Sequence, residues 1–116
     1  PDFVQLNYSL AEREAERRLL PLAQADGVAV LVNRPLGQGQ MFGRVKGRPL
    51  PGWAAEIDCA SWAQIFLKFI LGHPAVTCVI PGTRNPAHAA DNMGAAIGPL
   101  PDPASRARMT AHFAAL

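Results

Sequence analysis

The residues with the clearest chemical potential lie between an apolar run and a helix start in the second half of the chain. The apolar run covers residues 76–80, and the segment 81–86 (Pro-Gly-Thr-Arg-Asn-Pro) leads from it into an Ala-rich helix. Thr83 supplies a hydroxyl, Arg84 supplies a cation, and the helix start offers free N–H groups at the positive end of its dipole. Because such a combination attracts phosphate, the segment predicts an anion-binding loop.

Two other loops are predicted to open at the same edge of a sheet. Asn7, Tyr8 and Ser9 follow the first apolar run, and a turn with Arg34 and glycines follows the second. In parallel α/β folds, functional residues collect where strands end, so two arginines at one edge favour an anionic ligand. A turn, cap or solvated surface charge stays an open alternative for each residue taken singly.

The first predicted unit is a strand followed by a helix. Residues 3–7 read as a short strand, with alternate residues on opposite faces. The Ser-Leu-Ala-Glu sequence at 9–12 resembles a capping box and predicts a helix over residues 10–25. Pro21 is expected to kink or divide this helix, and Asp26-Gly27 to end it.

The second unit begins with a continuous apolar strand at 28–33, typical of a strand buried on both faces. Residues 34–57 are rich in Gly, Pro and Arg, and so long a connection is expected to be functional or mobile. Trp53 in this connection either reaches a substrate pocket or anchors the loop to the core. The next helix is predicted to begin near Asp58, to show an apolar face that includes Trp62, and to end at Gly72.

The third unit is a strand at 76–80 and a helix capped by Asn85, with Pro86 at its first position. Asp102-Pro103 predicts a C-terminal helix that ends near Ala115. The alternation predicts an α/β fold with three parallel strands between helices, plus the C-terminal helix. Because a complete (β/α)8 TIM barrel takes roughly 250 residues, we interpret residues 1–116 as one partial barrel.

Composition narrows the class of protein further. Hydrophobic residues make up 49% of the 116 residues, charged residues 17%, and the net charge is +2, which argues against a nucleic-acid partner. Neither a signal peptide nor an apolar stretch that could span a membrane is evident, so a cytoplasmic location is expected. The chain begins at Pro1, which suggests trimming from a longer protein. Cys59 and Cys78 are expected to be reduced core residues, and no metal-ligand spacing is present.

Four motifs in order resemble the aldo/keto reductase family. Residues 5–10 (Gln-Leu-Asn-Tyr-Ser-Leu) look like its sixth-strand motif, and residues 27–39 resemble its seventh strand and following loop. Residues 67–76 are similar to its seventh helix. Residues 80–84 (Ile-Pro-Gly-Thr-Arg) with Asn92 resemble its eighth strand and the helix after it. The resemblance implies the C-terminal, strand 6 to 8 portion of a bacterial-like reductase barrel that binds NADP(H).

The resemblance also implies roles for individual residues. Gln5 would bind the nicotinamide carboxamide, whereas the pyrophosphate would be lined by Arg34, Leu36 and Gln38. Thr83 would contact the adenosine phosphate and Asn92 the adenine. The full implied cofactor set is Gln5, Arg34, Leu36, Gln38, Gly82, Thr83, Arg84, His88, Asp91 and Asn92.

The sequence departs from the family pattern at several of these positions. Asn33 stands where an aromatic residue usually stacks on the nicotinamide, and Gly82 stands where a lysine is frequent. Arg84 is a candidate to supply that missing cation. His88 replaces a frequent arginine near the 2′-phosphate or adenine, and Asp91 replaces Glu or Gln.

The family's catalytic Asp, Tyr, Lys and His come from its first four strands, which nothing in this chain resembles. Tyr8 belongs to the sixth-strand motif, Lys68 reads as a solvated or snorkelling side chain, and His73 and His112 lie at a helix exit and in the tail. We therefore expect no catalytic residue here and no hydride transfer by this chain alone.

Three interpretations of function follow. The leading one is the NADP(H)-binding portion of a carbonyl oxidoreductase, whose partners are NADPH and a carbonyl substrate once an N-terminal half completes it. The alternative is a noncatalytic α/β module that self-associates through its open sheet edges and binds a nucleotide or anion. A flavodoxin-like domain for another anion is a third possibility, less consistent with the motif order. No membrane partner is expected.

Overall fold

A computed structural model describes residues 2–116 of the protein. The helices and strands are β1 (Phe3–Asn7), α1 (Leu19–Ala25), β2 (Ala29–Asn33), α2 (Met41–Val45), α3 (Trp62–Leu71), β3 (Cys78–Val79), α4 (Pro86–Met93) and α5 (Pro103–Ala114). Short 3₁₀ turns lie at Glu14–Glu16, Gly37–Gly39, Gly52–Ile57 and Gly94–Ala96.

The strands form one parallel sheet in the order β1-β2-β3. Phe3 pairs with Ala29 at one end of the β1–β2 ladder, Asn7 pairs with Asn33 at the other, and Leu31 of β2 pairs with Cys78 of β3. All three strands therefore end at one edge of the sheet, and the loops that follow them open there. The predicted α/β fold, a partial barrel of parallel strands alternating with helices and followed by a C-terminal helix, is confirmed.

The two faces of the sheet differ in burial. Leu6 of β1 and Val30 and Val32 of β2 face the helices and are buried. On the other face Phe3 is 57% exposed, and Leu31 is only half-buried. The prediction that the second strand is buried on both faces is therefore wrong, because no layer of the described residues covers the side opposite the helices.

The third strand is shorter than predicted. Only Cys78 and Val79 have strand geometry, instead of residues 76–80. The amide of Thr77 still donates to the carbonyl of Val30 at 2.9 Å, and that of Ile80 to the carbonyl of Val32 at 3.0 Å. Hydrogen bonds to β2 thus continue on both sides of the two paired residues, and β3 pairs with β2 alone among the described strands.

The predicted helix over residues 10–25 is wrong in its first half. The Ser9 hydroxyl accepts from the amides of Ala11 and Glu12, while the Ser9 amide donates to the Glu12 carbonyl at 2.9 Å. These bonds close a local turn instead of starting a helix. α1 begins at Leu19, which puts Pro21 in the first turn, where its missing N–H is not needed. Gly27, with φ of +68°, ends the helix as predicted.

Residues 34–57 are more structured than a long loop. They include α2 and the 3₁₀ turns at Gly37–Gly39 and Gly52–Ile57. Trp53 is half-buried, and its ring meets the His112 ring edge-on, with centroids 5.7 Å apart. Of the two roles expected for Trp53, the geometry favours the anchor, here attached to α5.

Helix α3 begins later than predicted. Asp58 has left-handed backbone geometry, with φ of +52°, and ends the preceding 3₁₀ turn. Ser61 then caps α3, its hydroxyl accepting from the Gln64 amide at 3.1 Å. Residues 64–70 of the helix are all buried, so the predicted apolar face is confirmed, and Gly72 caps the end.

The prediction that Lys68 is a solvated or snorkelling residue is wrong. Lys68 is 0% exposed. Its ammonium group donates to the carbonyl of Ile57 and, at 3.1 Å, to that of Pro99. The side chain is satisfied by backbone acceptors from two segments and ties both of them to α3.

Both cysteines are free, and their surroundings differ. Cys59 is buried, and burial raises the pKa of its thiol to about 11, which keeps it protonated at neutral pH. Cys78 is exposed on β3, so its predicted place in the core is wrong. Among residues 2–116 no helix is long and apolar enough to cross a membrane.

The C-terminal helix is bonded to the first loop of the chain. As predicted, α5 is capped at Asp102, whose carboxylate accepts from the Ser105 amide at 2.8 Å. The Arg106 guanidinium donates to the Tyr8 hydroxyl at 2.6 Å and lies 4.3 Å from the centroid of the Phe69 ring. The Tyr8 hydroxyl in turn donates to the Glu16 carboxylate at 2.5 Å. Burial, followed by the bond to Glu16, raises the pKa of Tyr8.

Candidate functional site

A pocket of about 780 Å³ opens where β2 and β3 end. Its walls come from the loop after β2, the start of α2, the first turn of α3, the loop after β3 and one side of α4. This is the edge at which parallel α/β folds bind ligands. The strand ends place the two loops at the pocket, and side chains from the three helices complete its lining.

The loop after β2 enters the pocket through unusual backbone geometry. Arg34 and Gln38 both have left-handed φ values, 52° and 55°, and Gly39 follows at 86°. Such values are uncommon for non-glycine residues and often mark functional turns. The Arg34 guanidinium donates to the Gln38 side-chain carbonyl at 3.2 Å. This bond bridges the turn and holds the arginine at the pocket.

The loop after β3 ends in a capped helix. The Thr83 hydroxyl accepts from the Asn85 amide at 3.2 Å, and the Asn85 side chain accepts from the amides of Ala87 and His88 at 2.9 and 3.4 Å. The predicted cap at Asn85, with Pro86 at the first helical position, is confirmed. Because the cap occupies two of the free amides, the Thr83 hydroxyl and the helix dipole are the main attractions for an anion here.

A polar network holds α4 against α3. The Ser61 hydroxyl donates to one carboxylate oxygen of Asp91 at 2.6 Å. The Gln64 side-chain amide donates to the other at 3.2 Å and to the Asp91 carbonyl at 2.9 Å. Gln64 also accepts from the Ala60 amide at 2.7 Å. Both carboxylate oxygens of Asp91 are therefore engaged by the protein, and their first effect is to position α4.

The pocket contains most of the predicted cofactor-binding residues. Those that line it are Arg34, Leu36, Gln38, Gly82, Thr83, His88, Asp91 and Asn92. Gln5 lies outside, on the exposed sheet face, where its side-chain amide donates to the Asn33 side chain at 2.5 Å. Arg84 is exposed and does not line the pocket. The roles assigned to individual residues stay predictions.

The pocket also has lining residues that the sequence did not single out as functional. Ser61, Trp62 and Phe42 all contribute to its surface. The Ser-x-x-Gln spacing at 61–64 is a capping-box signal that could have located Ser61 at the start of α3. For Trp62 and Phe42 the sequence carries no functional signal, because their spacing fits the buried face of a helix as well as it fits a binding surface.

The acid–base candidates weighed from the sequence are absent from the pocket lining. Tyr8 and Lys68 are held in the bonds described above. The His73 ring nitrogen Nδ1 accepts from the Ala75 amide at 3.1 Å, and burial, followed by the nearby Arg106 charge, lowers the pKa of this histidine. Within residues 2–116 no group of three or more His, Cys, Asp or Glu side chains could hold a metal ion. None of these side chains therefore contributes to the pocket, whose ionisable lining residues are Arg34, His88 and Asp91.

Comparison with known proteins decides the family. The family model for the aldo/keto reductase family matches residues 1–109. This chain belongs to the aldo/keto reductase family. Over 53 residues, 46% of the chain, it is 40% identical to the NADH-specific methylglyoxal reductase of Escherichia coli (strain K12), of which it covers 16%.

Solved aldo/keto reductases share the fold. The Klebsiella pneumoniae enzyme, solved in complex with NADP and acetate, matches 94% of this chain with a TM-score of 0.73 and 24% identity. The enzyme AKR11C1 from Bacillus halodurans, in its holo form, matches 94% with a TM-score of 0.66 and 21% identity. The chain spans 38% and 41% of these two proteins, so it corresponds to part of an aldo/keto reductase barrel.

Proposed function

We propose that this chain is the NADP(H)-binding, C-terminal portion of a carbonyl oxidoreductase, a single segment of strands 6 to 8 over residues 1–116. The observation that carries the proposal is the pocket at the strand ends, which Arg34, Thr83 and the helix α4 line together. Its volume of about 780 Å³ lies within the range of small-molecule sites, roughly 300–1,000 Å³. The NADP held by the Klebsiella pneumoniae relative also supports it.

In this proposal the chain binds and orients the cofactor. Arg34 and Thr83 bind the phosphates, the arginine by charge-assisted hydrogen bonds, and Asn92 reads the adenine edge. The Gln5 and Asn33 side chains, already bonded to each other, offer amide groups to the nicotinamide carboxamide in place of an aromatic stack. The nicotinamide supplies the hydride when bound. The residues that protonate the carbonyl oxygen lie outside this chain.

The choice between NADPH and NADH is a separate question about the same pocket. The Escherichia coli relative is NADH-specific, and Arg84, the candidate cation for the missing lysine, is outside the pocket lining. These observations favour NADH as the second candidate. NADP(H) stays the first candidate, because His88 and Thr83 line the part of the pocket to which the resemblance assigns the adenosine phosphate.

The test is calorimetric titration of the intact protein that carries this sequence, with NADPH and with NADH. We expect saturable NADPH binding that Arg34→Ala weakens by about tenfold, the loss of one charge-assisted contact. Arg17→Ala is the matched control, since Arg17 is an exposed arginine outside the pocket lining, and its affinity should not change. Absence of binding to either dinucleotide would refute the proposal.

Two further results refine the assignment. If Arg84→Ala leaves NADPH affinity unchanged, Arg84 does not replace the missing lysine. If NADH binds tenfold or more tightly than NADPH, the cofactor is NADH. Turnover of a simple aldehyde by a verified 116-residue species would contradict the proposal that the catalytic residues lie elsewhere.

A noncatalytic, self-associating module is the alternative function, and the exposed sheet face favours it. Phe3 is 57% exposed on that face, and Cys78, which pairs with Leu31, is exposed there as well. A gel-filtration mass at a multiple of the chain mass, together with nucleotide binding and no turnover in any mixture, would support this alternative. An N-terminal half that restores turnover would exclude it.

The proposed cytoplasmic location is supported by the two free cysteines.

A further inference from the structure

One wall of the pocket is aromatic. Phe42 of α2 and Trp62 of α3 both line it, and each packs on Phe66 beneath, with ring centroids 5.6 and 6.0 Å apart. The part of the lining that α4 supplies is polar and includes His88 and Asn92. The pocket therefore offers aromatic side chains together with hydrogen-bonding groups.

The Trp62 ring is fixed before any ligand arrives. Its indole N–H donates to the Arg48 carbonyl at 3.1 Å. Phe66 and His112 lie within 6.0 and 6.1 Å of its centroid, at interplanar angles of 32° and 34°. A ring held by one hydrogen bond and two aromatic neighbours loses little conformational freedom on binding, and such preorganisation favours affinity.

The position of Trp62 along the pocket matters as well. Arg34 follows the end of β2, and its guanidinium is bonded to Gln38, which lines the pocket with it. Trp62 stands next to Ser61, whose hydroxyl is bonded to Asp91 of α4, beside Asn92. The aromatic wall thus adjoins the side of the pocket that α4 supplies, where Asn92 can meet the polar edge of a flat heterocycle.

We propose that Trp62 is the stacking residue for the adenine ring of the bound dinucleotide, with Phe42 as a second aromatic side chain of the pocket lining. A purine matches this arrangement, because its π-face stacks on an indole while its edge accepts and donates hydrogen bonds to an amide such as Asn92. The inference rests on the proposed function. It adds a binding residue on α3 to the set drawn from the loops and α4.

Calorimetric titration of the intact protein with NADPH tests the affinity. Trp62→Ala should weaken binding by about tenfold, which corresponds to the lower half of the range measured for base–aromatic stacking. Trp62→Phe should recover most of the loss, since it restores a π-face. Trp53→Phe is the matched control, because Trp53 is attached to α5 and does not line the pocket, and it should bind as the wild type does.

Fluorescence gives a second measurement that does not require truncation of a packed side chain. The difference between the emission of the intact protein and that of its Trp62→Phe variant reports on Trp62. Saturating ADP should quench this difference emission.

The outcomes separate the two proposals. Wild-type NADPH binding with unchanged affinity in a folded Trp62→Ala protein overturns the stacking inference alone. Unchanged Trp62 emission at saturating ADP does the same. Failure of the wild type to bind either dinucleotide overturns both the stacking inference and the proposed function.

Discussion

Helices α3 and α4 both line the pocket, but they differ in how much of each is buried and in the contacts that hold them. α3 buries every residue from 64 to 70, whereas α4 contains no buried residue. Both helices begin with a side-chain cap, Ser61 for α3 and Asn85 for α4. The difference therefore does not arise from how the helices start.

The contrast follows from their places in the fold. α3 packs between α5 and the helix-facing side of the sheet. Phe66 and Phe69 of α3 and Phe113 of α5 belong to the same buried core, and the rings of Phe66 and Phe113 are in contact. α4 follows the edge strand β3 and depends on the bonds that Asp91 makes with Ser61 and Gln64. One wall of the site is thus fixed by apolar burial and the other by a few polar contacts. The polar wall is the more adjustable of the two.

The largest expected effect comes from the buried wall. Phe66 is 0% exposed and contacts the rings of Phe42, Trp62 and Phe113, so Phe66→Ala should lower the free energy of unfolding by about 3–5 kcal/mol. Ala89→Gly in the exposed α4 is the counterpart, and it should cost about 1 kcal/mol through helix propensity. Urea denaturation measures both. Equal losses would show that α4 is as deeply integrated as α3.

An intermediate effect is expected at the contact between the two helices. Asp91→Ala removes hydrogen bonds to a charged acceptor and should lower the free energy of unfolding by about 1.5–3 kcal/mol. A double-mutant cycle with Ser61→Ala should give a coupling energy of about 1–2 kcal/mol, because the two side chains bond directly. Additive losses would mean that the network does not hold α4. Amide exchange over residues 86–93 should quicken in both single variants.

The smallest expected effect is a change in the pH dependence of stability. It comes from His73, which does not line the pocket. The pKa of His73 is lowered from 6.5, first by burial and then by Arg106, so the unfolded chain binds its proton more readily than the folded one. The contribution of neutral His73 to the free energy of unfolding is complete above about pH 6.5. It is lost as the pH falls from there through the lower pKa of the folded state. His73→Asn keeps an acceptor for the Ala75 amide and should flatten this part of the profile. Melting temperatures measured between about pH 7.5 and 5 test it, and identical slopes for both proteins would contradict it.

The sequence predicted the fold well where a local signal agreed with the packing. The alternation in residues 3–7, the Asp26-Gly27 stop and the Asn85-Pro86 start all lie where the structure has them. The capping-box pattern at 9–12 misled, because the same hydroxyl that can start a helix also closes a turn when Glu12 bonds back to Ser9.

Lys68 shows that a local sequence pattern cannot predict contacts made by segments remote in sequence. Its helical position predicts a solvated charge, but its acceptors are the carbonyls of Ile57 and Pro99, supplied by segments remote in sequence. The same limit applies to predicting the pocket lining from the sequence. The loop residues were predictable from their motifs, whereas Trp62 and Phe42 belong to the pocket through tertiary packing alone.

The bond between Arg106 and Tyr8 joins residues 98 positions apart. Pairing of β1 with β2 needs only the first 33 residues, but the buried tyrosine gains this partner only after α5 has been synthesised. Closing so long a loop is entropically costly and slow relative to local contacts. During translation, the loop that contains Tyr8 therefore lacks this contact until α5 has been synthesised, and apolar surface left uncovered at that stage favours aggregation.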